Sequence, residues 1–544
     1  MLKTYTNPEY DYVTSSDQEA KTPVHHPVII IGAGPCGLAA ALDLATQGIR
    51  SVVLDDNNTV SVGSRAICFS KRTLEILDRY GCAEPMIEKG VTWKKGKVFF
   101  KDKQIYDFDL LAEDGHKLPA FINLQQYYFE EYMINRAMDF AEIDLRWKSR
   151  VTNVVDASDK TTISIETPDG EYQLTCDYLL VADGANSGIR DMLGLESKGQ
   201  EFLDRFLIAD VVMKAEFPTE RWFWFDPPFH PNQSVLLHKQ ADNVWRIDFQ
   251  LGWDADPEEE KKEENIRPRI QQMLGEDVEF ELEWASVYTF KCRRMDNFIK
   301  NRVIFMGDAA HQVSPFGARG ANGGIQAVEN LAWKLARVLK GDAPTSLLDT
   351  YNTERIHGAA ENILNSTRAT DFITPKNEIS RIFRDETLRL AEKFPFARTL
   401  VNSGRLSTPC DYTDSDLISK TEGKGIQPGF VAKDAPIEVE GRKEWLMDQL
   451  GGRFVALINI DGVSEADLSA LDQISNDLDI LPVSTNQSDP NAIRDCEGLI
   501  AKRYALEPGH VYLIRPDQYI AARFDTPDAK AIKAALDKSL GRER

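Results

Sequence analysis

The feature that most restricts the possible folds is a strand–turn–helix–strand unit that begins at Val28. Residues 28–31 form a continuous β-branched run, which predicts a strand buried on both faces. The turn that follows, residues 32–37, has the glycine spacing GxGxxG, and residues 38–47 have helical composition. A second apolar run, residues 51–54, ends in an acid, Asp55. Together these segments predict a complete βαβ unit.

The chemistry of this unit is that of a phosphate-binding turn. Gly32, Gly34 and Gly37 let the backbone approach a pyrophosphate, and the helix N-terminus offers free N–H groups and partial positive charge. Asp55 can accept hydrogen bonds from a ribose diol. The alternative is a glycine turn that serves packing alone. By itself, the unit does not distinguish NAD from FAD.

Composition narrows the class of protein. The 544 residues are 42% hydrophobic and 28% charged, which is ordinary for a soluble globular enzyme and excludes a disordered, collagen-like or coiled-coil chain. The net charge of -22 argues against duplex nucleic acid and anionic membranes as partners. Seven cysteines without CxxC spacing, and histidines without ligand spacing, predict neither a disulfide framework nor a metal site. A reducing compartment, the cytoplasm, is therefore expected.

Changes in composition and hydrophobic pattern along the chain predict an α/β protein with several parts. Residues 1–24 lack the apolar core of a signal peptide and are expected to be a flexible or surface-draped extension. Between about 202 and 288, short β-branched and aromatic runs predict a mixed sheet inserted between two pieces of a nucleotide-binding domain. The predicted parts are the extension, 1–24; the nucleotide-binding domain, 25–200 and 293–405; the inserted substrate-binding sheet, 201–292; a linker, 406–432; and a small α/β domain, 433–544.

A second strand–loop–helix pattern lies far downstream of the first. Residues 303–308 predict a strand that ends in Asp308, residues 314–324 are rich in glycine, and residues 326–339 are helical in composition. The acid can hold a polyol hydroxyl, and the loop permits close backbone approach to a flat ring system. The helix N-terminus can stabilise an anion, which suits a reduced flavin with its negative charge at N1 and O2.

These motifs give the chain a specific resemblance over about residues 25–400. It resembles the class A flavoprotein monooxygenases of the para-hydroxybenzoate hydroxylase type. Within that group it is most similar to 3-(3-hydroxyphenyl)propionate hydroxylases and related phenol hydroxylases with an added C-terminal domain. The family's three fingerprints occur in order, as residues 32–37 with Asp55, residues 183–187, and residues 307–311. The implied fold is a Rossmann-like FAD-binding domain of the GR2 type, an inserted mixed sheet and a C-terminal thioredoxin-like domain.

The resemblance assigns cofactor contacts residue by residue. It implies non-covalent FAD as the cofactor. The implied contacts are Gly32, Gly34 and Gly37 on the pyrophosphate; Asp55 on the adenosine ribose; Arg65 near the phosphates and ribityl chain; Gln126, which matches the family's glutamine segment, on the cofactor; Asp308 on the ribityl chain; Asp183 near both FAD and the nicotinamide donor; and Pro315, Gly320, Asn322 and Gly323 along the isoalloxazine. Phe129 stands where the family's glutamine segment has leucine, and Ala318-Arg319-Gly320 replaces the usual Gly-Gln-Gly.

The implied reaction is hydroxylation of an aromatic, phenolic ring. NADPH or NADH reduces the flavin, O2 then gives a C4a-hydroperoxide, and its distal oxygen is transferred to the ring. A phenolate is the better nucleophile, so a nearby base helps. The catalytic candidates are His238, Pro315 and Arg319, although a core role is the more common one for a residue like His238, and Arg319 is equally well explained as a surface salt-bridge partner. Further candidates in the inserted sheet, each also readable as core, are Trp222, Trp224, Trp245, Arg246 and Tyr288.

Several alternatives stay open from sequence. The chain could hydroxylate a non-phenolic heteroaromatic or polyketide substrate, act as a flavin oxidase, or bind flavin as a regulator without turnover. The expected partners are a small aromatic substrate, O2, NADPH or NADH and a second copy in a homodimer. Because Cys496 stands alone in the C-terminal domain, redox exchange is not expected there, and a structural or oligomer-contact role is predicted.

Overall fold

The computed structural model describes residues 2–215, 217–401, 406–484 and 492–542. Over these residues the strands, numbered in chain order, are β1 Val24–Ile31, β2 Ser51–Leu54, β3 Cys68–Ser70, β4 Val91–Trp93, β5 Lys95–Phe100, β6 Lys103–Asp109, β7 Phe121–Asn123, β8 Ile143–Arg146, β9 Arg150–Asp156, β10 Thr161–Thr167, β11 Gly170–Val181, β12 Ser197–Val212, β13 Arg221–Phe225, β14 Ser234–Lys239, β15 Val244–Leu251, β16 Glu281–Met295, β17 Ile299–Lys300, β18 Val303–Phe305, β19 His311–Gln312, β20 Pro436–Val439, β21 Arg442–Trp445, β22 Phe454–Asn459, β23 Leu478–Ser484, β24 Ile493–Asp495, β25 Val511–Ile514 and β26 Ile520–Phe524.

The α-helices are α1 Pro35–Thr46, α2 Lys71–Tyr80, α3 Ala83–Lys89, α4 Gln126–Ala137, α5 Gly188–Met192, α6 Pro257–Glu260, α7 Glu263–Leu274, α8 Gly320–Leu339, α9 Asp349–Ile373, α10 Glu378–Lys393, α11 Pro395–Arg398, α12 Glu465–Asp472, α13 Leu499–Tyr504 and α14 Ala529–Ser539. None of the helices in this described part of the chain is long and apolar enough to cross a membrane.

The first sheet carries the nucleotide-binding unit. Its strand order is β17-β18-β11-β1-β2-β8, and the pairs among β18, β11, β1, β2 and β8 are parallel. The β-branched run of β1 is fully buried at Val28, Ile29 and Ile30, as expected of a central parallel strand covered on both faces. Because β1, β11 and β18 are neighbours, their carboxyl ends lie side by side. The three fingerprints follow these ends, which brings them together at one edge of the sheet.

The N-terminal extension packs on the surface of this domain. Tyr5 stacks on Tyr127 with ring centroids 4.2 Å apart, and Tyr10 stacks on Trp147 at 4.8 Å. Further along the extension, Asp17 accepts a charged hydrogen bond of 2.5 Å from Arg146. The extension is thus held by aromatic stacking and an ion pair.

The second sheet has the order β19-β16-β12-β15-β14-β13-β5-β6. It reaches beyond the predicted range 201–292, since β5 and β6 come from inside the range 25–200 and β19 from the range 293–405. The physical reason is that β5 pairs in parallel with β13, and such long-range pairing leaves no trace in local composition. One face of this sheet packs on Ile266 and Ile270 of α7. The other face is turned toward the nucleotide-binding domain, as the contacts of Arg246 with residues 64 and 65 show.

The C-terminal part forms a third sheet with the order β21-β20-β24-β23-β22-β25-β26. Strand β22 is parallel to β23 and antiparallel to β25, and α12 connects the first two. The predicted linker 406–432 contains neither a helix nor a ladder strand, apart from an isolated bridge between Val431 and Tyr519. The predicted boundary at residue 405 lies outside the described residues.

A buried ionic network joins the C-terminal sheet to helices α8 and α9. The turn between β25 and β26 brings Arg515 to Glu354 of α9, with hydrogen bonds of 2.8 and 3.0 Å. Lys334 of α8 donates to the same carboxylate at 2.7 Å, and Arg515 also pairs with Asp517. These side chains are at most 1% exposed. Because α8 also carries the second glycine-rich loop at its start, the C-terminal part braces the helix that borders the site.

Candidate flavin and substrate site

The first glycine turn has the shape that a diphosphate requires. A Cβ on Gly37 would lie 1.8 Å from the Gly32 carbonyl oxygen, and one on Gly32, whose φ is +100°, would lie 2.6 Å from the Ala182 carbonyl oxygen. A Cβ on Gly34, by contrast, would meet no described atom within 4 Å. The turn is therefore packed tightly on its inner side and open at Gly34, at the N-terminus of α1. This cradle fits the pyrophosphate of a dinucleotide.

Asp55 connects the end of β2 with this turn. Its Oδ2 accepts a hydrogen bond of 2.6 Å from the Ala33 N–H, and its Oδ1 accepts one of 2.8 Å from the Asn57 N–H. Desolvation raises the pKa of Asp55 against these two hydrogen bonds. Since each carboxylate oxygen has two lone pairs, acceptor capacity remains for a ribose diol.

The second fingerprint lies beside the turn, after β11. Oδ2 of Asp183 accepts a hydrogen bond of 3.2 Å from the Ile189 N–H, while its Oδ1 is buried without a partner in the described chain. A buried acceptor without a partner is rare in proteins, so this oxygen fits a hydroxyl or amide of a bound dinucleotide. Arg190, which follows the motif, donates to the Ala309 carbonyl oxygen at 3.0 Å and so joins the second fingerprint to the third.

The third fingerprint places Asp308 just after β18, near Tyr288 of the inserted sheet. The Asp308 side chain is exposed to solvent, yet desolvation by the surrounding protein raises the pKa of its carboxyl to about 6, against the nearby positive charge of Arg65. Tyr288 of β16 is 38% exposed and lies near the same two charges, and burial raises the pKa of its phenol to about 12. Groups from two domains thus border one water-accessible space. An acid there fits the polyol chain of FAD.

Gln126 and Arg246 hold the loop that carries Arg65. Oε1 of Gln126 accepts a hydrogen bond of 3.0 Å from the Ala66 N–H, and the Gln126 N–H donates to Ser64 Oγ at 3.0 Å. From the inserted sheet, Arg246 donates to the Ser64 and Arg65 carbonyl oxygens. In the structure Gln126 therefore positions the Arg65 loop, and its predicted contact with the cofactor stays a prediction.

The start of α8 presents the predicted isoalloxazine surface. A Cβ on Gly320 would contact Val313 Cγ2 at an ordinary 3.7 Å, and the first N–H groups of a helix lack partners within it. The Asn322 side chain is only 1% exposed and serves the protein itself. It accepts from the Ser70 N–H and the Thr73 hydroxyl, and it donates to the Cys68 and Ala318 carbonyl oxygens. Asn322 thus ties α8 to β3, and its predicted contact with the isoalloxazine stays a prediction.

The remaining residues of this loop differ in exposure. Pro315 is exposed and Gly323 is packed, since a Cβ there would lie 3.0 Å from Asn362 Nδ2. Arg319 is 4% exposed and lies against Gly317, so its side chain is buried rather than on the surface. Phe316 packs edge-to-face on Phe206 of the inserted sheet at 5.0 Å. The loop therefore closes onto the inserted sheet.

The inner face of the inserted sheet carries polar side chains in register. Asp210 lies opposite Arg246, Arg246 lies opposite His238, and Asp248 lies two residues further along β15. In antiparallel strands, directly opposite residues share a face, so these side chains point the same way. Arg221 joins them, two residues before Phe223, which lies opposite Leu236 on this same face. Arg221, His238 and Asp248 are called the polar recess below.

The structure changes the interpretation of the candidates in this sheet. His238 is 1% exposed, and desolvation together with Arg221 and Arg246 holds the pKa of its imidazole well below the ordinary value, so it is neutral. Trp222, Trp224 and Trp245 lie with the apolar cluster on the opposite face, away from the cavity. Arg221 and Asp248 were not among the site residues predicted from the sequence. The alternation Arg246-Ile247-Asp248 in β15 was a signal, because it places two charges on one face.

Comparisons with known proteins agree with this site. A family model described as "FAD binding domain" matches residues 25–366. The chain is 27% identical over 534 residues to 6-methylpretetramide 4-monooxygenase of Streptomyces rimosus, covering 94% of this chain and 92% of the relative. It is 24% identical over 538 residues to the 3-(3-hydroxy-phenyl)propionate/3-hydroxycinnamic acid hydroxylase of Burkholderia cenocepacia, covering 95% and 97%.

Among solved structures, the flavin-dependent monooxygenase PieE in complex with FAD and substrate superposes with a TM-score of 0.82 at 20% identity. The match covers 96% of this chain and 100% of that one, and it shows a shared fold. Three fingerprints at one sheet edge, a cradle open at Gly34 and the family match over 25–366 agree. The chain belongs to this family of FAD binding domain proteins, as a FAD-dependent class A monooxygenase that uses NADPH or NADH.

Proposed function

We propose that the protein hydroxylates a phenolic ring, using O2 and NADPH or NADH, in the cavity between Asp308 and the polar recess. The observation that carries this proposal is that the FAD fingerprints face a sheet surface with buried polar groups. Both curated relatives named above are oxygenases by name, which favours hydroxylation over the oxidase alternative. A phenolic hydroxyl gives the polar groups of the recess a partner, whereas a purely apolar ring does not.

The residues of the chain have separate tasks in this reaction. The turn at Gly34 and the N-terminus of α1 would hold the pyrophosphate, Asp55 the adenosine ribose and Asp308 the ribityl chain. FAD, when bound, supplies hydride acceptance and the activation of O2. The N-terminus of α8 stabilises negative charge next to the ring system.

We expect aromatic side chains near the ring to exclude water from it. Phe206, Phe290 and Phe316 form an aromatic cluster with centroids 5.0–5.4 Å apart where the glycine-rich loop meets the inserted sheet. Apolar walls of this kind shield a reactive site and strengthen the electrostatic interactions inside it. They also suit the flat apolar surface of an aromatic substrate.

Three measurements on the purified full-length protein test the proposed function. The protein should carry FAD, oxidise NADPH or NADH faster when a phenol is added, and give a product heavier by one oxygen atom. A panel of phenolic acids and fused-ring phenols, scored by mass, identifies the substrate class. Stoichiometric peroxide with every phenol and no oxygenated product would instead establish an oxidase.

We also infer that the C-terminal part, 433–544, is a thioredoxin-like domain. The order β23-β22-β25-β26, with β22 and β23 parallel and β25 antiparallel to β22, supports this assignment. Helices α12 and α14 lie at the chain positions that such a fold requires. Cys496 is exposed and has no neighbouring cysteine in sequence, so the role of the domain is structural, through Arg515.

A homodimer through α10 and α11 is proposed from their exposed apolar surface. Large apolar side chains there are 43–80% exposed, namely Ile379, Ile382, Phe383, Leu390, Phe394 and Phe396. An antiparallel second copy of α10 would place Glu378 at the start of one helix near Lys393 at the end of the other, so the charges are complementary. Light scattering should give twice the chain mass for the wild type and a monomer for Phe383→Glu. A monomeric wild type refutes this interface.

The cytoplasm stays the proposed location of the protein. All seven cysteines are free thiols, which suits a reducing compartment. Fractionation of the producing cell, with the protein detected by antibody, measures the location directly, and recovery from an oxidising compartment would contradict it.

A further inference from the structure

The polar recess contains several polar atoms that the protein leaves unpaired. Both ring nitrogens of His238, Oδ1 of Asp248 and Nε of Arg221 are buried and have no hydrogen-bond partner among the described residues. Buried polar atoms are nearly always paired in native proteins. Four unpaired atoms on one sheet face therefore point to a polar group of a ligand that completes them.

The charge balance of the recess identifies that group. Arg221 is 5% exposed, and no carboxylate of the described chain forms an ion pair with it. Its NH1 group contacts Cys68 Sγ at 3.3 Å, and burial raises the pKa of that thiol, so the contact is with a neutral group. Arg246 is different, because Asp210 pairs with it at 2.7 Å. A buried cation without a contact ion pair is completed by an anionic oxygen.

The recess adjoins the surface where the flavin ring is expected. Cys68, which contacts Arg221, accepts a hydrogen bond of 2.9 Å at its carbonyl oxygen from Asn322 near the start of α8. Arg246, opposite His238, contacts the loop of Arg65. The recess thus lies across strand β3 from the glycine-rich loop, on the wall of the same site.

We propose that the polar recess binds the ring hydroxyl of the substrate, with Asp248 accepting its proton and Arg221 holding the resulting phenolate oxygen. This inference rests on the proposed phenol hydroxylation and deepens it. In the step, the phenolic O–H bond breaks, its electron pair stays on oxygen, and the proton forms a new O–H bond on the Asp248 carboxylate. His238, whose Nε2 lies 3.9 Å from Asp248 Oδ2, is a positioning residue.

The groups around Asp248 set the pH at which it can act. The facing groups come from every neighbouring element: Cys68 of β3, Asp210 of β12, Arg221 of β13, His238 of β14 and Arg246 of β15. Desolvation raises the pKa of Asp248 to about 6, Arg246 and Arg221 oppose the rise, and Asp210 adds to it. Asp248 is therefore a carboxylate above about pH 6, and the hydroxylation of a neutral phenol should increase through that pH.

A binding experiment tests the role of Arg221 without turnover. FAD-loaded full-length protein is titrated with alizarin, a fused-ring phenol whose colour reports its ionisation. Bound alizarin should ionise at a lower pH than free alizarin, and Arg221→Met should raise its apparent pKa by about one unit or more. Asp226→Asn, directly after β13, is the control, because Oδ1 of Asp226 accepts the Asn232 N–H and an amide oxygen can do the same. Failure of the wild type to bind alizarin, or an equal pKa in wild type and Arg221→Met, overturns the proposal.

A turnover experiment tests Asp248. With a phenol that is neutral at the assay pH, Asp248→Asn should lower product formation about 100-fold and abolish the inflection near pH 6. With a nitro-substituted phenol that is already ionised, the same variant should keep activity within a few-fold of wild type. An equal loss on both phenols, or no loss on either, refutes the base. If no phenol supports turnover, the proposed function fails, while the alizarin titration still decides the recess.

Discussion

Glu354 should be among the most sensitive positions of the protein outside the site. Its carboxylate is 1% exposed and receives hydrogen bonds from Arg515, Lys334 and Asn330 at 2.6–3.0 Å. The change Glu354→Gln keeps the shape of the side chain and removes its charge. Lys334, which is fully buried, then loses its carboxylate partner and keeps the Asn330 side-chain oxygen at 2.9 Å, whereas Arg515 retains Asp517.

The magnitude follows from the buried cation that the change leaves behind. Removing one partner of a buried ion pair costs about 3–5 kcal/mol, and we expect about 3 kcal/mol because Arg515 keeps a counter-ion. With an unfolding entropy of about 2 cal/mol/K per residue, this lowers Tm by about 3 °C for cooperative unfolding of the 544-residue chain. Replacing Lys334 by Met in the same protein removes the unpaired cation and should recover about half of the loss.

Calorimetry of the FAD-loaded protein measures the effect, with Glu361→Gln as a control on the same helix, where the side chain is half-buried. The pH dependence has a definite sign. Despite desolvation, Arg515 and Lys334 hold the pKa of Glu354 well below its ordinary value of 4.5, so its stabilisation is present above that pH and is lost as the pH falls through the folded-state pKa. A Tm of Glu354→Gln within 1 °C of wild type, or a double variant no more stable than the single one, refutes the reasoning.

Three further predictions concern the site. Gly34→Ala should fold like wild type but bind FAD at least about tenfold more weakly, because the added methyl group meets the ligand, whereas Gly37→Ala should lower Tm as well. Equilibrium dialysis measures FAD binding and melting curves measure Tm. Equal Tm losses in the two variants would contradict the proposed pyrophosphate site at Gly34. Above about pH 6, Asp308→Asn should raise the Tm of the FAD-free protein, because a carboxyl whose folded-state pKa is raised to about 6 destabilises the fold once it ionises. A Tm difference between variant and wild type that is the same at pH 4 and pH 7 would count against this prediction. Asn322→Ala should lower the free energy of unfolding by about 2–4 kcal/mol, because it leaves the Ser70 N–H and the Cys68 carbonyl without this partner. Urea unfolding measures the loss. A loss under about 1 kcal/mol would show that Asn322 does not tie α8 to β3.

The nucleotide-binding unit was predictable because its signals are local. The predicted strand at 28–31, helix at 38–47 and strand at 51–54 correspond to Val24–Ile31, Pro35–Thr46 and Ser51–Leu54. β-Branched runs, a glycine turn and an acid after the second strand need no distant partner to be read. The strands Phe454–Asn459 and Leu478–Ser484 of the C-terminal sheet were predictable for the same reason.

The site of substrate binding was less predictable because it depends on pairing over long distances. No local pattern in Lys95–Phe100 indicates that this strand joins Arg221–Phe225 in parallel. Similarly, His238 and Asp248 are ordinary strand residues until the fold turns their face toward α8. The sequence could name polar residues of the inserted sheet, but which of them become buried without partners is decided by contacts with Cys68 and the loop at Ser64.

The contact of Arg515 with Glu354 has a consequence for how the protein matures during synthesis. Helix α8 ends about 175 residues, and helix α9 about 140 residues, before Arg515, so both leave the ribosome well ahead of the turn that supplies this residue. Until that turn emerges, Glu354 has Lys334 but not Arg515, and α8 is not yet braced. We therefore expect a chain truncated before Arg515 to have a less stable α8 and to retain FAD less well than the full-length chain.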